Sequence, residues 1–301
     1  MKVKHWIAFI GLSVAWGSSF FWNKLALQEI GPYSLVALRL LLGLIGMLGG
    51  MFIRRPKMPQ TRRQWLILGL LGLTNTAVPF SMIAWSLKFI DSTVVSILVS
   101  STPIFTVIMA HFFIQEERLV ARKILGILVG FFGVVVLFWR GMVHIGEMGL
   151  VGQLLVLGAT SLYAVSAIIV KRETSKLDPL IQSFFSILVA DLFMWIVVFF
   201  AEPTFIVPTQ TVTWGALVWL GIIGSALAYH LYFYLIANIG PTSASLITYL
   251  MPVVGLSLGV LLLGEDFDLQ LVFGGILVLI SIWAVNRAGT SSEDGKTTSE
   301  T

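Results

Sequence analysis

The feature that most constrains this chain is a series of unbroken apolar runs, each ended by charge, Pro or Gly. They fall at about 5–28, 33–53, 64–87, 92–113 and 122–139, then at 149–170, 180–201, 213–236, 241–263 and 270–287. A helix needs roughly 20 such residues to cross the ~30 Å hydrocarbon layer. Lipid offers an open backbone no hydrogen bonds, so only helices and closed barrels span it. Runs without apolar/polar alternation exclude the barrel. The expected fold is an all-α membrane protein with ten transmembrane helices. With 57% of residues hydrophobic and 11% charged, against roughly a quarter charged in soluble domains, most of the surface cannot face water. The first run has no small-residue cleavage site followed by soluble sequence, so it reads as a retained span and not a signal peptide.

The cations set the orientation. With the N-terminus inside, the cytoplasmic side carries Lys2, Lys4, Arg54, Arg55, Lys57, Arg62, Arg63, Arg118, Arg122, Lys123, Lys171, Arg172, Lys176, Arg287 and Lys296. The opposite side keeps only Lys24, Lys88 and Arg140. Both termini are therefore expected in the cytoplasm, with the chain in the cytoplasmic (inner) membrane. The net charge of +4 sits in short loops between spans, which argues against a nucleic-acid partner. Residues 288–301 read as a disordered polar tail.

The sequence also repeats. A shift of 149 aligns residues 65–130 with 214–279 without a gap, pairing Trp65 with Trp214, Gly72 with Gly221, Pro103 with Pro252 and Glu116 with Glu265. It also pairs the run Gly126–Val129 with Gly275–Val278. A shift of 147 pairs Lys24 with Lys171 and Pro32 with Pro179. The expected units are 1–140 and 141–287. Five spans is an odd number, so the second unit enters the membrane from the opposite side. The two would then be inverted repeats, the construction by which secondary transporters exchange inward-open and outward-open states around a site near the midplane.

These features together resemble the ten-helix EamA-type exporters of the drug/metabolite transporter superfamily. The resemblance rests on Trp16-Gly17-Ser18-Ser19-Phe20 in the first span and the Pro32…Arg39 pattern opening the second. It rests too on a Pro-containing helix followed by an acidic pair in each half, Pro103 to Glu116-Glu117 and Pro252 to Glu265-Asp266, and then a Gly-rich helix. What it implies is efflux of small metabolites, often amino acids, through a central cavity lined by spans 1–4 and 6–9.

Ionisable groups within spans are expensive and mark functional candidates. Arg39, about six residues into the second span, reads as a gating residue or as a structural cation that snorkels or bonds helix-end carbonyls. Asp191 lies too deep in its span to snorkel, and His230 can donate, accept or titrate; these are the two candidates for proton coupling. His111 is explained by its place near a span end. Pro79 cannot donate to the carbonyl of Asn75, and irregular backbone at membrane depth belongs beside a cavity, or else in a helix–helix bond. Pro103 and Pro252 likewise open the carbonyls of Val99 and Thr248, as hinges or as static kinks. Trp65, Trp139 and Trp214 read as interfacial belt residues. Trp16, Tyr163, Tyr229 and Tyr249 lie deeper and should face the interior, where hydroxyls find partners. Gly46/Gly50, Gly126/Gly130 and Gly255/Gly259 permit close helix approach.

The expected binding set is thus Trp16, Asn75, Pro79, Ser100, Tyr163, Tyr229, His230 and Tyr249, with Arg39, Asp191, Pro103 and Pro252 in coupling or gating. Positions where the repeats differ, namely Asn75/Gly224, Ser81/His230 and Ser100/Tyr249, are where cargo choice should reside. With no Cys, disulfides and thiolate metal sites are excluded. No GxxxxGK[ST] or HExxH sequence occurs, so ATP hydrolysis and metalloproteolysis have no signature; the one GxSxG spelling, Gly255 to Gly259, lies inside an apolar run and not at the strand-to-helix turn that an elbow nucleophile needs. No cofactor or metal is called for. The expected activity is secondary export of small organic metabolites, amino acids or related amphipathic compounds, by a monomer or weak homodimer in the bilayer. The alternatives are an intramembrane enzyme on a lipid-linked substrate, and a transporter of the same family with another cargo or direction.

Overall fold

The computed structural model describes residues 2–87, 89–90, 92–115, 117, 120–138, 149–202, 204–254 and 273–285. Glu116, Arg118, Trp139, Arg140, Glu265, Asp266, Gly255/Gly259 and the expected tail 288–301 lie outside them. All regular structure among the described residues is helical. The first half comprises α1 (Val3–Gly17), α2 (Ser19–Ala26), α3 (Pro32–Arg54), α4 (Arg62–Gly72), α5 (Val78–Ser86), α6 (Ser92–Val99), α7 (Thr102–Phe113) and α8 (Ala121–Phe138). The second comprises α9 (Gly149–Ile169), α10 (Pro179–Ala201), α11 (Thr211–Val218), α12 (Ala228–Ile239), α13 (Pro241–Ser245), α14 (247–254) and α15 (Phe273–Val285).

Among the described residues three π-helical segments, Leu73–Ala77, Val170–Thr174 and Trp219–Leu227, continue their neighbours. They complete the long helices Arg62–Ser86, Gly149–Thr174 and Thr211–Ile239. With Pro32–Arg54 and Pro179–Ala201 these are five helices long and apolar enough to cross a membrane among the described residues. Of the other expected spans, the first and fourth are divided, and the fifth, ninth and tenth reach residues outside those described. The first is parted at Ser18, where the hydroxyls of Ser18 and Ser19 both donate to the carbonyl of Ala15 (3.2 and 2.8 Å), offering that acceptor an alternative to the helix ladder. The fourth is parted ahead of Pro103, and the Val99 carbonyl takes the Thr102 hydroxyl instead (2.6 Å).

The halves are packed into each other. α3 lies on α10 and on Trp219–Leu227, α5 and α7 lie on α9, and α1 lies on α12. Gly72 and Gly221, paired by the 149 shift, both approach the backbone of the other half closely. A Cβ at Gly72 would meet the carbonyl oxygen of Ser186 at 2.5 Å, and one at Gly221 that of Arg39 at 3.0 Å. Ser186 and Arg39 are themselves partners under the 147 shift. Equivalent glycines therefore seat the third helix of each half on equivalent turns of the other half. Gly126 and Gly130 serve contacts of the same kind inside the chain, facing Val285 and the side chains of Ser281 and Tyr249.

Helix ends are also closed across the halves. The cap residue of α3 is Gly31, which has no side chain to offer. The N–H groups of Tyr33 and Ser34 bond instead to the Glu202 carboxylate beyond α10 (both 2.9 Å), which also takes the Ser34 hydroxyl. Glu29 accepts from the backbone and hydroxyl of Thr209 and from the Gln210 N–H at the start of α11. Glu117, after α7, pairs with Lys123 (3.1 Å) and takes the Thr242 N–H of α13 at 3.4 Å. A carboxylate at a helix start satisfies open donors and complements the dipole.

Candidate functional site

Between the halves lies a cavity of ≈ 110 Å³. The first half lines it with Trp16, Ser19 and Asn23 of α1–α2, Arg39 of α3, Phe80 of α5, and Thr102 and Thr106 of α7. The second half contributes Tyr163 of α9, Tyr229 and Tyr232 of α12, Ser245 of α13, and Thr248 and Met251 of α14. The aromatic wall is continuous. Trp16 meets Tyr229 edge-on at 5.8 Å and Tyr232 at 5.3 Å, and Phe80 meets Tyr229 at 6.2 Å.

Two π segments form the polar framework. A π turn takes one carbonyl out of the i→i+4 ladder, and at this depth such an acceptor needs a side chain. In the first half that acceptor is Asn75, as the missing Pro79 donor dictates. The Tyr229 hydroxyl donates to it at 2.9 Å, while the Thr76 hydroxyl donates to the Tyr229 oxygen at 3.0 Å. In the second half the equivalent carbonyl is that of Gly224. It takes the Trp16 indole N–H (3.1 Å) and Nη2 of Arg39 (3.3 Å). Ser225, the counterpart of Thr76, takes Nε of Arg39 at 3.3 Å and passes its own proton to Leu220. The guanidinium lies over the Phe80 ring, 4.7 Å from its centroid.

Of the residues expected to form the site, Trp16, Arg39, Tyr163 and Tyr229 line the cavity. Asn75 and Pro79 stand behind Tyr229, Asn75 through its backbone; its amide nitrogen has no partner among the described residues. Ser100 donates to the Thr248 carbonyl at 3.0 Å, the very group that Pro252 leaves open. Tyr249 points away from the cavity and donates to Ile127 of α8 at 2.7 Å. His230 follows Tyr229 and so presents another face of α12. Asp191 is buried in α10 outside the lining, with Oδ1 unpartnered among the described residues. Pro103 and Pro252 adjoin the lining residues Thr102 and Met251. Sequence reasoning missed Tyr232, Phe80 and the threonines. Tyr232 was legible as the residue one turn on from Tyr229, and Phe80 as the repeat counterpart of Tyr229. Among the described residues no three His, Asp or Glu side chains come together as metal ligands.

A sequence model of one family, the EamA-like transporter family, matches the chain twice, over residues 4–139 and 150–287. The chain belongs to the EamA-like transporter family. This EamA-like chain is 25% identical to the uncharacterized transporter YoaV of Bacillus subtilis, over 93% of its own length and 96% of that protein. It is 26% identical to the uncharacterized inner membrane transporter YedA of Escherichia coli over 87% and 83% of the two chains. A WAT1-related chloroplastic protein of Arabidopsis thaliana is 25% identical, over 94% of this chain and 69% of that one. One solved crystal structure shares the fold with a TM-score of 0.81, over 97% of this chain and 99% of its own, at 17% identity. The EamA-like chain is thus a multi-pass membrane protein and a membrane transporter.

Proposed function

We propose that this transporter exports small organic metabolites, amino acids or related amphipathic compounds, across the cytoplasmic membrane. It does so by alternating access between two inverted five-helix halves, with both termini in the cytoplasm. The observation that carries this reading is the cavity itself, which is aromatic, centrally placed and lined from both halves. Equivalent glycines and equivalent open carbonyls on its two sides support exchange of roles between the halves. Asp191 and His230 are the candidates for proton coupling; otherwise the cargo gradient drives flux. The test is counterflow of labelled amino acids into vesicles containing the purified chain, with and without a pH gradient. Accumulation above protein-free vesicles is expected, and Trp16→Ala should abolish it. Equal flux with and without the gradient, together with unchanged flux in Asp191→Asn, would remove proton coupling. Chemically altered cargo would point to an enzyme.

A further inference from the structure

Arg39 is 5% exposed and among the described residues makes two hydrogen bonds, both of 3.3 Å and both to uncharged oxygens. A guanidinium carries five N–H donors and does not deprotonate in proteins. A buried cation is normally matched by an anion, yet no carboxylate among the described residues pairs with Arg39 or lines the cavity. Its Cζ lies over the Phe80 ring, and among the described residues its bonds use Nε and Nη2 and none uses Nη1. Four hydroxyls of the same lining offer acceptors. The hydroxyls of Thr102, Thr106, Ser245 and Thr248 all donate to backbone carbonyls three or four residues earlier in the chain, at 2.6–2.9 Å. They can therefore show a ligand only lone pairs.

We infer that the cavity binds a monocarboxylate through the Arg39 guanidinium, and that organic cations are excluded. That this ligand is transported rests on the transport reading above; the anion site does not. A carboxylate accepts two parallel N–H bonds from a guanidinium edge and cancels its single charge. A phosphate dianion would leave one negative charge buried. An α-ammonium group on the same ligand would find acceptors in the hydroxyl lone pairs. A ligand with an ammonium group and no carboxylate would bring a second positive charge beside Arg39.

The experiment compares ligands of one shape and three charges on the full-length chain: 4-methylpentanoate, leucine and leucinamide, and in parallel 3-phenylpropanoate, phenylalanine and phenylalaninamide. Thermal stability in detergent reads binding, and vesicle uptake reads transport. The expected result is stabilisation by acids and zwitterions and none by the amides. Arg39→Gln should weaken the acids about tenfold or more, as for a lost charge-assisted bond, and Arg39→Lys should recover part of that loss. The charge series on the unmodified protein decides the matter even if the variants misfold. Equal stabilisation by amides and acids overturns the anion site, and uptake of either would leave the transport reading standing. Acid-selective, Arg39-dependent binding without uptake upholds the site and overturns transport. No response to any of the six overturns the site.

Discussion

Leu73–Ala77 and Trp219–Leu227 occupy corresponding places in the two halves, and both leave α geometry there for different reasons. In the first, Pro79 withholds a donor from Asn75. In the second the position of Pro79 is held by Ala228, and the departure goes with the bare Gly224. A Cβ at Gly224 would lie 3.0 Å from the Ser19 hydroxyl and 3.3 Å from Nη2 of Arg39. One open carbonyl is closed by a neutral phenol, the other by an indole and a guanidinium. The repeated backbone supplies an acceptor on each side, and the residue at 75 or 224 decides whether a cation fits beside it.

The comparison can be broken most severely at the glycines that seat each third helix. Gly72→Leu and Gly221→Leu should each cost about 3 kcal/mol or more, the upper range for overpacking, and appear as loss of monodisperse protein on size exclusion. If either variant is as stable as the parent, the close approach at Ser186 or Arg39 is not what joins the halves. Gly224→Ala should act more narrowly. It presses on Arg39 and Ser19, so carboxylate binding should weaken about fivefold with the melting temperature little changed. A fall in stability without loss of binding would contradict this. Tyr229→Phe removes the donor to Asn75 and should lower stability by about 1–2 kcal/mol, the range for interhelical hydrogen bonds in membranes, read in thermal unfolding. Ser100→Ala opens the Thr248 carbonyl and should cost the least, about 0.6 kcal/mol. If it exceeds Tyr229→Phe, the order of the two closures is reversed.

Much of this was readable before the structure. Pro79, Pro103 and Pro252 name three carbonyls that must find other donors, and all three do: Asn75 from Tyr229, Val99 from Thr102, Thr248 from Ser100. What proline cannot reveal is a π segment without one, so Trp219–Leu227 had only the Asn75/Gly224 difference as a cue. Nor does a helix buried on most sides show which face meets a cavity. Tyr249 and Tyr229 look alike in sequence, yet one hydroxyl closes a contact with α8 and the other borders the cavity. Asp191 is buried as its depth and short side chain suggest, but its face of α10 is not a cavity face.

Glu202 holds the start of α3 by two N–H groups and a hydroxyl, and so gives that helix a fulcrum at Tyr33 and Ser34. Arg39 sits six residues along the arm, roughly 9 Å at 1.5 Å per residue, whereas Arg54 at the far end is roughly 30 Å away. A tilt of α3 about its tethered end would sweep Arg54 some three times as far as the guanidinium. The lever keeps its buried charge near the pivot and does its travelling at the opposite surface.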